Sequence, residues 1–460
     1  MSYEWRRLRL ETDARLDTAE TKRLRSPRGD SVRPWILLLG SDPVGLERAA
    51  RHAMVRLGSE IPCITLPSEP ALPILLHRLP APRLQGERAL YVPHLERAFF
   101  DTLAKSSFSA ASPQYLLAKL SALAGEGEPL HVVATAMATP LETGGGDVLA
   151  QRGLASRFEI RQADGATDAR APLDIGVSSV EPTPVDALLS EGLRTGDAQL
   201  RESRYQQAVT MAPTDALPHL FLASALSEQE EISRAVKSLR RAIECDPNLA
   251  AAHYELGKAH IRSGDASSVP DAIASFERTT ELLPEFASAF ANLGAARGET
   301  GDTAGAVPAF ERAIELDPLS HALRSNLGVA YRDQGRLAEA ETELLRVVDM
   351  APDFVFGHYN LANVHYLQGR YRDAIAEYEK ARTMDRSASA RQALLLAVTR
   401  LAAGDREEAL ADYRAIFERL DARSRGDLRA VAEWDLTQLA ERAGVTPDLK
   451  EAARLVRSYS

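Results

Sequence analysis

The chain has 460 residues, 45% hydrophobic and 26% charged, an ordinary balance for a folded protein with room for several cores. Its net charge of −10 argues against nucleic acid, whose phosphates need a basic footprint. No apolar run reaches the roughly 18 residues of a membrane span. Cys63 and Cys245 are too far apart in sequence to suggest a disulfide framework or metal-ligand spacing, and Met1 to Arg7 lack an apolar signal core, so a cytoplasmic location is expected. Basic and acidic residues balance over 1–181, which places the whole acidic excess in 182–460. An acidic surface there suits neutral or basic protein partners, or simply keeps a long surface soluble.

Residues 1–32 are polar and read as a solvated arm or one short helix. From there the pattern changes. Trp35-Ile36-Leu37-Leu38-Leu39 is a continuous apolar run of strand length, and further strand candidates are Ile61–Leu66, Ala89–Val92, His131–Thr135 and Phe158–Arg161. Helical patterns lie between them, notably Leu46–Leu57 and Pro113–Leu123. The alternation predicts an α/β domain with a mainly parallel sheet over 33–161.

The first strand runs into Gly40-Ser41-Asp42-Pro43-Val44-Gly45 and then a helical pattern, the layout of a phosphate-binding loop. Ala89–Val92, the helix at Gln114–Leu117, the strand Val132–Thr135 and Leu154-Ala155-Ser156-Arg157-Phe158 follow in the order of an acidic metal-binding strand, a helix, a sensor strand and an arginine-bearing box. In that order 33–161 resembles a degenerate AAA+ ATPase core, most similar to bacterial enhancer-binding activators. The resemblance implies a nucleotide loop at Gly40 and Gly45, but the lysine and hydroxyl expected next are replaced by Leu46 and Glu47. Pro93 and His94 stand where paired acids would hold magnesium, and Met137 replaces a sensor asparagine; Arg157 alone survives. No catalysis and no cofactor is therefore expected. The domain is read as a pseudo-ATPase docking surface, with another α/β domain, such as a receiver-like one, as the alternative. Residues 162–183 are rich in Asp, Ala, Pro and Ser and read as a linker.

Pro213, Pro247, Pro284, Pro318 and Pro352 then recur about every 34 residues, with Asp265–Pro270 carrying the three extra residues of the one longer step. Each unit holds two helical patterns. Their turns carry Gly264-Asp265, Gly301-Asp302, Gly335-Arg336, Gly369-Arg370 or Gly404-Asp405. The first pattern carries Leu-Gly or Leu-Ala, and the second carries small–large–small triplets such as Ala235/Leu239/Ala242. These features resemble the tetratricopeptide repeat family over 182–420. The fold expected is mostly α: a right-handed α-solenoid of six to seven repeats over 184–420, capped by helices in 421–460 and preceded by the P-loop-NTPase-like α/β domain. Within the cap, Ser424-Arg425-Gly426-Asp427 reads as a break, with helices at Leu428–Ala443 and Thr446–Val456.

By the resemblance, the sixth position of each repeat points into a concave groove. Asn292, Asn326 and Asn360 occupy it in three successive repeats. An amide both donates and accepts, so such a row suits the backbone of an extended peptide. Asn363, Tyr254, Tyr359, Tyr366, Lys258, Arg262 and Arg332 are further groove candidates. His253, His260, His358 and His365 lack a third ligand at metal-site spacing, so no metal is expected. The function expected is a non-catalytic scaffold binding a protein or peptide partner, with an AAA+ subunit as a candidate for the N-terminal domain and no nucleic acid or membrane. The alternative is a nucleotide-linked regulator of transcription or signalling.

Overall fold

The computed structural model describes six strand segments between Trp35 and Ser179, the helical residues Tyr115, Ala118 and Lys119, and residues 183–385, 390–420 and 422–459. The strands are β1 (Trp35–Gly40), β2 (Cys63–Thr65), β3 (Ala89–Val92), β4 (His131–Met137), β5 (Phe158–Gln162) and β6 (Val177–Ser179). They form a parallel sheet in the order β5-β1-β4-β3-β2-β6. Ile36 of β1 lies opposite Val133 on one side and Glu159 on the other. An all-parallel sheet suits the unbroken apolar run at Trp35–Leu39, because such sheets are covered on both faces. β6 falls inside the stretch read as a linker. Gly40 closes β1, whereas Gly45, Leu46, Glu47 and Arg157 lie outside the described residues.

The helices follow as α1 (Pro184–Arg194), α2 (Ala198–Met211), α3 (Ala216–Glu228), α4 (Ile232–Cys245), α5 (Ala250–Arg262), α6 (Val269–Leu282), α7 (Ala287–Glu299), α8 (Thr303–Leu316), α9 (His321–Asp333), α10 (Leu337–Met350), α11 (Val355–Leu367), α12 (Tyr371–Met384), α13 (Ala390–Ala403), α14 (Arg406–Glu418), α15 (Ala422–Ala443) and α16 (Pro447–Arg457). The chain divides into two compact units, 1–300 with 315–318 and 301–314 with 319–460.

Side-chain caps and tight turns punctuate the helices. Thr183 forms a capping box with Asp186 at the start of α1, and Asp197 and Asp215 accept backbone N–H groups opening α2 and α3. Gly335 and Gly369 turn their hairpins at φ +74° and +76°, followed by the Arg336 N–H bonding Tyr331 O and the Arg370 N–H bonding His365 O, each at 2.9 Å. The three extra residues after Asp265 form a short 3-10 turn, Ala266–Ser268, ahead of α6.

Within each unit the small–large–small triplets are the packed core. Ala235, Leu239 and Ala242 are fully buried in α4, as are Ala340, Leu344 and Val347 in α10 and Ala374, Tyr378 and Ala381 in α12. Gly257 shows why the first helix needs a small residue, because a Cβ there would lie 2.6 Å from the Phe276 ring. In the C-terminal cap the expectation fails: α15 runs unbroken through Ser424–Asp427. Ala432, Leu436 and Leu439 bury against Leu394, Val398 and Leu401, and the Arg425 Nε donates to Phe417 O. Burial of that kind outweighs the roughly 1 kcal/mol that Gly426 costs a helix.

Candidate functional site

The first helix of a hairpin has one face against its partner helix and another face turned away from it. On α5 Ala251, Tyr254, Glu255, Lys258 and Arg262 recur at spacings of three, four and seven that align along one side of the helix, with Tyr254 at the seam where it also meets Phe276 of the partner helix. In the first unit this face is an aromatic box with a charged rim. The Tyr254 ring centroid lies 4.9 Å from that of Phe286 and 5.8 Å from that of Phe276, and Tyr254 is only 5% exposed. Asn292 Nδ2 donates to its hydroxyl at 2.8 Å. Lys258 pairs with the buried Glu255 at 3.0 Å and sits 5.6 Å from the Tyr254 centroid. Arg262 donates to Ser227 O at 2.9 Å, and Ser224, Ser227, Glu228, Glu255, Lys258 and Arg262 line a shallow depression. Tyr254, Lys258 and Asn292 are thus brought together, with Arg262 on the same face.

In the second unit the corresponding face is more open. Asn326 is exposed, and Asn360 Nδ2 donates to Ser325 Oγ at 3.0 Å. Asn363 Oδ1 accepts the Tyr378 hydroxyl at 2.7 Å. The Tyr359 ring is buried, 6.0 Å from Tyr378. Tyr366 lies under the Arg442 guanidinium at 5.7 Å, and burial, opposed by Arg442, pushes its hydroxyl up to about 12. Arg332 is turned to Asp333 at 2.7 Å. Phe356 is 61% exposed, 6.0 Å from Phe354, whose ring in turn meets His321 at 4.7 Å.

Three of the histidines serve the backbone, and His365 instead lies 3.4 Å from Glu341. His219, His253 and His358 each place Nε2 within 3.0 Å of the proline carbonyl six residues earlier. His358 adds Glu377 through Nδ1 at 2.6 Å, and among the described residues no group of three or more ligands could hold a metal. No described helix is long and apolar enough to cross a membrane.

Sequence reasoning did not single out Phe356, Tyr378, Arg442 or Tyr115. Phe356 is legible as a bulky apolar residue off the core spacing. Tyr378 reads as an ordinary core residue until its hydroxyl is seen reaching through the hairpin to Asn363. Nothing in the sequence pairs Arg442 or Tyr115 with the repeats.

Residues 292–353 and 355–388 match tetratricopeptide repeat models, and 223–264 match a TPR repeat model. These are tetratricopeptide repeats. Solved structures of similar make-up include YrrB, described as a TPR protein with an unusual peptide-binding site (24% identity, 40% of this chain and 92% of that one, TM-score 0.36). Others are a tetratricopeptide repeat protein from Parabacteroides merdae (16%, 59% and 98%, TM-score 0.43) and PilW, a type IV pilus biogenesis factor (20%, 51% and 97%, TM-score 0.39).

Proposed function

We propose that the chain is a non-catalytic adaptor whose first-helix faces bind a segment of a partner protein, the second unit taking an extended peptide. The observation that carries this reading is the set of amides at Asn326, Asn360 and Asn363 beside the exposed Phe356. Asn360 uses its Nδ2 and Asn363 its Oδ1 within the fold, so each keeps the other half of its amide to offer a peptide backbone. Phe356 supplies an apolar anchor next to those polar groups, the composition typical of a binding hot spot. Arg332 and Tyr366 frame the site, with Tyr359 buried behind them in the core against Tyr378, while Tyr254, Lys258, Arg262 and Asn292 form its counterpart on the first unit.

A peptide array probed with the full chain tests the reading. Replacing Asn326, Asn360 and Asn363 together by alanine should weaken the strongest array signals at least tenfold in follow-up titrations, and Phe356→Ala should do the same. Unchanged affinities in both variants would sink it.

The N-terminal region is proposed to be a docking surface related to ATPase cores but without their chemistry. The sheet supports this, because β1 ends at Gly40 between β4 and β5, where the crossovers from β1 and β4 leave in opposite directions along the sheet. Ligands of parallel sheets bind at such points, yet the residues following Gly45 are Leu46 and Glu47. Calorimetric titration with ATP and magnesium should show no binding tighter than about millimolar. Tighter binding would favour the nucleotide-linked regulator instead.

A further inference from the structure

One end of the first-helix face of the first unit, at Phe286 and Ala251, is occupied by the chain itself. Tyr115, Ala118 and Lys119 have helical backbone, and their spacing of three and four puts them on one face of a helix. Tyr115 is fully buried and Ala118 is 2% exposed. The Tyr115 ring meets Phe286 edge-on, with centroids 5.4 Å apart and planes at 85°, and Phe286 in turn meets Tyr254. The Ala251 backbone faces the Tyr115 hydroxyl, and Asp246 and Glu255 stand near it. Asp246 also attracts Lys119, which is partly buried and whose ammonium burial destabilises. Ala251 and its neighbours Ala250 and Ala252 are at most 1% exposed. On α3 the run Ala216–Leu226 is buried without interruption, so no face of that helix is left to solvent.

Three chemical features converge here. Phe286, Tyr254 and Phe276 make an aromatic socket, the small Ala251 admits close helix approach, and Asp246 makes an acidic edge. A helix that presents an aromatic residue, a small residue three positions later and a cation one further fits all three.

We propose that this face is a helix-binding site occupied in cis by Tyr115, Ala118 and Lys119, and that a partner helix carrying Tyr-x-x-Ala-Lys or its equivalent competes for it. The proposal rests on the reading that first-helix faces bind partner segments, and it assigns the first unit a helical ligand where the second takes an extended one. A tethered occupant acts at a high effective concentration, so the wild-type site looks weak to any added ligand until the tether's own anchor is removed.

The probe is a fluorescein-labelled synthetic peptide spanning residues 113–123, titrated by anisotropy against the full chain. Tyr115→Ala should bind it at least tenfold more tightly than wild type, and adding Phe286→Ala should abolish that gain. Lys119→Glu, which keeps the aromatic ring, should give a smaller gain in the same direction and covers the case in which Tyr115→Ala fails to fold. Equal affinity in wild type and both single variants overturns the proposal, as does a gain that survives Phe286→Ala. The Asn326/Asn360/Asn363 triple alanine variant should leave this peptide's affinity unchanged when combined with Tyr115→Ala. Failure of the second-unit reading therefore shows only in the array signals, and failure of this one only here.

Discussion

At the scale of single residues, Glu230 departs from the repeat pattern. In the hairpins of α9–α10 and α11–α12 a glycine takes the left-handed turn, and Glu230 takes it between α3 and α4 at φ 62°, with the Glu231 N–H bonding Leu226 O at 2.9 Å just as Arg336 bonds Tyr331. A side chain in that conformation costs roughly 1 kcal/mol relative to glycine. Glu230→Gly should therefore raise the stability of the first unit by up to about 1 kcal/mol, seen as a higher denaturant midpoint with an unchanged m-value. A lower midpoint would mean that the Glu230 side chain contributes more than its backbone costs.

The helical hairpin is the next scale, and its integrity depends on close approach of its two helices. Gly328 on α9 has no room for a side chain: a Cβ would fall 2.7 Å from Leu344 Cγ, and Leu344 is itself fully buried. Gly335, in the turn of the same hairpin, has open space where a side chain would start but a φ of +74°. The two glycines are needed for different reasons. Gly328→Val should cost about 1–3 kcal/mol by overpacking, and pairing it with Leu344→Ala should recover part of that loss. Gly335→Ala should cost about 1 kcal/mol through backbone strain, and no partner substitution should rescue it. Double-mutant cycles by chemical denaturation separate the two. Rescue of Gly335→Ala by Leu344→Ala would contradict this division.

Across the whole molecule, the two units differ in the groups that respond to acid. In the first unit, burial holds His253 and His260 below their ordinary value of 6.5. Arg278 adds to the effect at His253, against the Pro247 carbonyl and Asp246, and Arg240 adds at His260, against Asp271. The unfolded chain takes up these protons more readily, so their contribution is complete above about pH 6.5 and is lost as pH falls through the lowered values. In the second unit Glu341 and Glu377 are the half-buried carboxylates held below their ordinary value; exposed Glu339 is lowered by its hydrogen bond from Arg336, and burial raises Asp435 against Arg391. Burial pushes Glu341 and Glu377 up, but hydrogen bonds from Gln368 and Arg370 to Glu341, and from Lys380 and His358 to Glu377, hold them below 4.5. Their stabilisation is present above about pH 4.5 and is lost below it. Amide hydrogen exchange, corrected for its intrinsic rate, should therefore accelerate in the first unit between pH 7 and 5 while the second holds until below about 4.5. The reverse order would contradict these assignments.

The amino-acid sequence by itself determined the hairpins. Spacing, turn glycines and the small–large–small triplets are local, and each follows from how two adjacent helices pack. Its strand candidates overlap β1 to β5, because an apolar run of strand length between helical patterns leaves few alternatives, but it missed β6, which lies in the stretch read as a linker. It misjudged α15, reading Ser424–Asp427 as a break, because the burial of Ala432, Leu436 and Leu439 depends on helices far earlier in the chain. It placed the asparagines on the first helices, yet not their partners: Asn292 on Tyr254, Asn360 on Ser325 and Asn363 on Tyr378 are pairs set by stacking 15 to 38 residues away. Only the tertiary structure decided that Tyr115 seats against Phe286 and that Phe356 stays exposed. Neither fact follows from a local pattern, since occupancy of a face depends on which distant segment fits it best.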